Sequence, residues 1–173
     1  MDTGNLPPIA SSYWVIPDSL LAGAYPGNLG DDPTGYKIIR LLKAGITCFV
    51  DLTTSQDDLP PYMPFAQGYV DHPLIYQRFP ILDKSIPVSR QQMIDILDFL
   101  DASLQAQHVI YLHCWGGIGR TGTVVGCWLA RHGTMGQSAL QTLRQRWQQC
   151  TTSAYCTTPE TAVQLNYILH WSE

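Results

Sequence analysis

Ten residues, HCWGGIGRTG (113–122), separate the apolar run VIYL (109–112) from the apolar stretch TVVGCWLA (123–130). A β-rich run, a glycine cluster and a helix-compatible run, in that order, make a strand–loop–helix unit. Such a unit restricts the chain to folds in which helices layer on a sheet. The loop then lies beyond the carboxyl end of the strand and beside the amino end of the helix. Orphan amides at that terminus face outward, and Gly116, Gly117 and Gly119 let successive N–H groups curl into a concave nest. A tight turn needs a glycine or two. It does not need Cys114 and Arg120 as well.

That nest matches a three-oxygen phosphate, with the amides of Trp115, Gly116, Gly117, Ile118, Gly119 and Arg120 around it. Arg120 adds a planar, permanently charged fork for two phosphate oxygens. Cys114 stands at the base, where the amides, the helix terminus and Arg120 favour a thiolate. A thiolate there is a nucleophile aimed at phosphorus. Thr121 places a hydroxyl beside the loop to hydrogen-bond the departing sulfur. The bland reading is a glycine turn with an incidental cysteine. Average residue usage makes Cys-x5-Arg-[Ser/Thr]-Gly a chance event of about one in a thousand for such a chain.

The rest of the chain fits an α/β fold: a central, mostly parallel or mixed sheet flanked by helices. YWVI (13–16) and LLAG (20–23) read as a hairpin-like pair, and ITCFVDL (46–52), HPLIYQRF (72–79) and HVIYLH (108–113) as strands. Ile38, Leu41 and Leu42 mark a helix over 33–44 that stops at Gly45. Ser89 and Gln92 have capping-box spacing ahead of a helix whose apolar face is Met93, Ile96, Leu97, Leu100 and Leu104. Residues 120–132 predict a helix stopped by Gly133, and Leu140, Leu143 and Trp147 another; Pro159 opens a last helix at its first position. The prolines and aspartates of TTSQDDLPPYMP (53–64) predict an irregular loop. No repeat or low-complexity tract divides the 173 residues, which read as one domain with a flexible N-terminus over 1–11.

Composition narrows the partners. Apolar residues at 45% and charged residues at 14% exclude a disordered chain, and a formal charge of −4 offers no basic field for nucleic acid. Phosphate binding must therefore be local. No apolar span suits a membrane helix, and the start MDTGNLPPIASSYWV lacks the pattern of a secretory signal. Five cysteines without a CxxC pair suit a reducing cytoplasm.

HCWGGIGRTG resembles the HCx5R[ST]G signature of the cysteine-dependent protein tyrosine phosphatases, in particular their small, dual-specificity-like bacterial branch. SYWVIPDSLLAGAYPG, DLTT, RFPILDKSIP and TPETAVQLNYIL are similar to pieces of its members in the same order, so the resemblance spans roughly residues 12–170. It implies a mixed sheet flanked by helices and hydrolysis of phosphomonoesters through a cysteinyl-phosphate, with no metal or organic cofactor.

Expelling an alkoxide or phenolate calls for a proton donor. Asp51, Asp57, Asp58, Asp71 and Asp83 compete. If the strands at 72–79 and 108–113 are parallel, their carboxyl ends share one sheet edge, which brings Asp83 and Cys114 to one crevice. PILDKSIP is also similar to the family's acid loop, although Phe79-Pro80-Ile81-Leu82-Asp83 replaces the Trp-Pro-Asp of larger members. Asp51 is the runner-up, and Asp57 and Asp58 read as a solvated pair or a substrate-facing charge. His113 is expected to hold the loop by buried hydrogen bonds, with proton transfer as the alternative. No second histidine at ligand spacing makes it a metal site. Gln164 matches a glutamine that the resemblance suggests, placing the hydrolytic water or touching loop residues, against the plainer reading of a helix-surface glutamine. Trp115 either walls the pocket or packs, as does Tyr62; Cys127 reads as core, with oxidation against Cys114 as the other option.

The expected substrate is a phosphorylated protein, on tyrosine or with dual specificity. The alternative is a small inositol or sugar phosphate. A loop without lysine or histidine between Cys114 and Arg120 disfavours polyphosphorylated lipids. Rhodanese-like sulfur transfer and non-catalytic phosphopeptide reading are the rivals from other classes. Opposite protonation demands on Cys114 and Asp83 predict a bell-shaped kcat/KM profile with a mildly acidic optimum.

Overall fold

The computed structural model describes residues 6–30, 32 and 34–173. Five strands form one sheet in the order β1-β2-β5-β3-β4: β1 (Ser12–Ile16), β2 (Leu20–Gly23), β3 (Cys48–Asp51), β4 (Ile75–Arg78) and β5 (Ile110–His113). β1 and β2 form the expected antiparallel hairpin, while β2, β5, β3 and β4 run parallel. Register then places Gly23 and Asp51 beside His113, and Arg78 beside Asp51. The carboxyl ends of four strands meet at one edge.

Alternation along the strands explains the layering. Tyr13, Val15, Leu20, Ala22, Cys48, Val50, Ile110 and Leu112 join one buried cluster, and the intervening Trp14, Leu21, Phe49 and Tyr111 join a second. The first cluster is covered by α3 (Arg90–Gln105), α4 (Gly119–Arg131), α5 (Gly136–Trp147) and α6 (Ala162–Leu169). The second is covered by α1 (Tyr36–Lys43) and α2 (Met63–Tyr69). On α3 the predicted stripe is fully buried at Met93, Ile96, Leu97 and Leu100 and partly buried at Leu104; each fully buried side chain contributes about 1.5–3 kcal/mol. α4 is buried on all sides from Gly119 to Ala130, because it lies between the sheet and three other helices, α3, α5 and α6. It ends as expected: Gly133, at φ 93°, donates to Ala130 O, and Thr134 N donates to Leu129 O.

Three local expectations need correction. TTSQDDLPPYMP is not irregular throughout: Ser55–Asp57 form a 3-10 turn, and α2 starts at Met63. Pro64 sits in its first turn, where a missing N–H costs nothing. Pro159 does not open the last helix; Thr161 caps α6 in a reciprocal box with Gln164. The box at Ser89 is only half formed, since Ser89 Oγ accepts from Gln92 N while the Gln92 side chain reaches past Ser89 to Val88 N. Of the N-terminal segment 1–11, residues 1–5 lie outside the described residues. Ile9 is buried in the second cluster, and its carbonyl accepts from Ser12 N and Oγ.

Candidate active site

β5 delivers His113 and Cys114 to the sheet edge, and α4 begins five residues later. Between them the chain turns through Gly117 at φ 72°, a conformation L side chains avoid. A Cβ there would also run into the backbone of Gly23 and Ala24 at the end of β2. This turn directs Gly117 N–H at Cys114 Sγ, 3.3 Å away. Among the described residues, no protein acceptor takes the N–H groups of Trp115, Gly116, Ile118, Gly119 or Arg120. Five such donors, at a helix amino terminus that closely follows one buried sulfur in sequence, can take an oxyanion.

Arg120 is nearly fully buried and anchored by two elements. Asp57 takes Nη1 and Nη2 at 2.9 and 2.7 Å, and Ile81 O accepts from Nη1 at 3.1 Å. Nη2 also reaches Asp83 Oδ1 at 3.1 Å. Nε has no acceptor. The guanidinium is thus locked in place with one N–H left over for a ligand oxygen.

Asp57 overturns the expectation of a solvated pair. Its side chain is buried, and besides Arg120 it accepts from Thr54 N and Oγ1 as part of a capping box. The hydrogen bonds from Arg120 and Thr54 overcome its burial and hold the carboxyl below its ordinary range. Asp83 is 59% exposed and shares a cleft of about 550 Å³ with Cys114, Trp115 and Gly119. Asp51, the runner-up acid, is buried and occupied: it accepts from Thr53 N and Oγ1, Tyr76 Oη and Arg78 Nε. The hydrogen bonds from Thr53 and Tyr76 outweigh its burial and hold it ionised, below its ordinary range. It does not line the cleft.

His113 is fully buried, and its Nδ1–H donates to the carbonyl of Cys114, so Nε2 accepts from Tyr62 Oη at 2.7 Å. Burial lowers its pKa despite nearby Asp51, leaving a neutral ring that braces the loop. Tyr62 is therefore a buried support for His113 and does not line the cleft that holds Cys114. Thr121 Oγ1 is buried and, among the described residues, unpaired; no hydrogen bond to Cys114 is formed. Trp115, 53% exposed, walls the cleft. Cys127 is core, where burial pushes its thiol far up.

Gln164 is no surface glutamine. It is fully buried, packs on Gly119 and donates to Ser85 O at 2.9 Å. Sequence reasoning also missed Thr54, Gln56, Lys84 and Glu160 around the cleft. Thr54-x-x-Asp57 was the available signal for the first turn of that wall. No local pattern marks the others.

Residues 30–134 match the model of the family Tc-R-P, described as "Polymorphic toxin system, DSP-PTPase phosphatase". The chain is similar to protein 067L of Invertebrate iridescent virus 3, which is named as a tyrosine phosphatase: 30% identity over 124 residues, covering 69% of this chain and 45% of that protein. It is 29% identical over 126 residues to the dual specificity protein phosphatase CDC14B of Mus musculus, covering 69% of this chain and 24% of that one. The chain therefore spans about half, or less, of the curated relatives it matches. In fold it is similar to Tk-PTP in its active form, with a TM-score of 0.69 at 20% identity over 91% of this chain and 93% of that one. A kinase associated phosphatase with its catalytic-site cysteine replaced by serine gives 0.68 at 22% identity, over 86% and 83%. Since the family model covers more than half of its length, this chain belongs to the Tc-R-P family of DSP-PTPase phosphatases.

Proposed function

We propose that the chain hydrolyses phosphomonoesters on proteins, at phosphotyrosine and with dual specificity toward phosphoserine and phosphothreonine, through a covalent cysteinyl-phosphate. The observation that carries this reading is a set of donors in the loop that begins at Cys114, five amides and Arg120 Nε, none of which has an acceptor among the described residues. The phosphoryl oxygens bind these donors, and Cys114 Sγ attacks phosphorus opposite the ester oxygen. The P–O bond breaks while Asp83 passes its proton to the leaving oxygen. Water then attacks phosphorus, Asp83 takes its proton, and the P–S bond breaks to free Cys114 and inorganic phosphate. Bound phosphate competes with Asp83 for Arg120 Nη2, which releases the carboxyl toward the leaving group. Thr121 would hydrogen-bond the sulfur as it departs, using a hydroxyl that has no partner among the described residues.

Among the described residues, no helix is long and apolar enough to cross a membrane. The cysteines are all free, which supports a reducing cytoplasm. The test is hydrolysis of phosphotyrosine and phosphothreonine peptides and of inositol phosphates by wild type, Cys114→Ser, Arg120→Lys and Asp83→Asn. Peptide turnover should vanish in Cys114→Ser and fall by about a hundredfold or more in Arg120→Lys, because an ammonium cannot replace the fork. Turnover of inositol phosphates alone, or turnover that survives Cys114→Ser, would overturn the reading.

A further inference from the structure

Asp83 lies in the segment 79–89 between β4 and α3, which has no regular structure of its own. Such a loop would ordinarily be mobile. Here it is fastened at several points. Gln92, in the first turn of α3, spans its two ends: Nε2 donates to Pro80 O at 2.9 Å, and Oε1 accepts from Val88 N at 2.8 Å. One side-chain amide thus closes the loop as a backbone pair would. Gln164, from α6, grips the middle: Nε2 donates to Ser85 O at 2.9 Å, while Oε1 accepts from Thr161 N at 3.1 Å. Its amide Oε1 and Nε2 lie only 2.8 and 2.9 Å from where a Cβ on Gly119 would stand. Ile81 O accepts from Arg120 as well.

We infer that Gln92 and Gln164 are positioning residues that hold the acid loop docked on the phosphate loop, so that Asp83 is preset at the cleft and needs no large swing to reach it. This rests on the phosphatase reading above. The two amides differ in what they fix. Gln92 sets the neck of the loop. Gln164 sets its distance from Gly119, because one side chain touches both segments. A carboxylate could replace only half of each clasp, since it accepts but does not donate.

The test compares Gln92→Glu and Gln164→Glu with wild type on an aryl ester of a good leaving group (p-nitrophenyl phosphate) and on an alkyl phosphate. Gln92→Glu keeps the acceptor for Val88 N and adds charge favourable to a helix amino terminus, so it should fold. It loses the donor to Pro80 O. General-acid catalysis contributes about 10²–10⁴ in rate, so a displaced Asp83 should cost the alkyl ester about tenfold or more and the aryl ester much less. Gln164→Glu should show the same split, more strongly. Vanadate affinity, which reads the cup alone, should move little in Gln92→Glu. Equal losses on both esters, or no loss on either, would overturn the inference. If wild type hydrolyses neither ester, the phosphatase reading itself fails and takes this inference with it; selective loss on the alkyl ester supports both.

Discussion

Arg120 carries more protein acceptors than a lone phosphate-binding arginine requires, and Asp57 is the reason it can be buried before a ligand arrives. Breaking a buried ion pair from one side leaves a charge without compensation, which costs about 3–5 kcal/mol. Both side chains of this pair are buried. Asp57→Asn, which keeps one acceptor, should destabilise the fold by about 3 kcal/mol at pH 7 in denaturant unfolding. The pH dependence has a definite sign. Asp57 is held below its ordinary range in the folded protein, so its contribution is complete above the unfolded value near 3.9 and is lost as pH falls through the folded one. The stability gap between wild type and variant should therefore narrow below about pH 4. A gap that stays constant as pH falls from about 5 to about 3 would show that the pair does not supply it.

At the scale of elements, the phosphate loop depends on one backbone reversal. Gly117→Ala puts a side chain at φ 72° and drives its Cβ against the end of β2. The left-handed conformation alone costs an alanine about 1–2 kcal/mol. The loop can escape only by turning the Gly117 N–H away from Cys114, and it must climb back to bind an oxyanion. Vanadate titration should show affinity weakened about tenfold or more, one factor of ten for each 1.4 kcal/mol. Unchanged affinity would mean that the cup does not need this turn. That unit was legible because its strand, glycines and helix are local in sequence. What escaped was decided by long-range approach or by position within a turn. Pro64 looked like a breaker, yet a first-turn proline is harmless. Asp57, next to Asp58, looked like a solvated pair until the arginine of a distant helix closed on it. Gln164 followed no apolar period, and only the docking of the acid loop and Gly119 buries it. The Thr161-x-x-Gln164 spacing would have placed the start of α6 correctly, had Pro159 not been taken as its opening.

The whole molecule has a formal charge of −4, and its cleft mixes Lys84 with Asp57, Asp83 and Glu160. Such a surface gives a phosphorylated, anionic substrate no long-range attraction; if anything, it repels one weakly. Binding energy must then come from contacts inside the cup, at distances well below the screening length of about 8–10 Å at physiological salt. An enzyme that gathers its substrate by a positive field loses rate steeply as salt rises. For this chain kcat/KM on a phosphotyrosine peptide of net negative charge should stay within about threefold between 20 mM and roughly 500 mM sodium chloride, and any early change should be upward as repulsion is screened. A steep fall with salt would reveal a basic docking surface outside the cleft and refute the claim that recognition is confined to the loop.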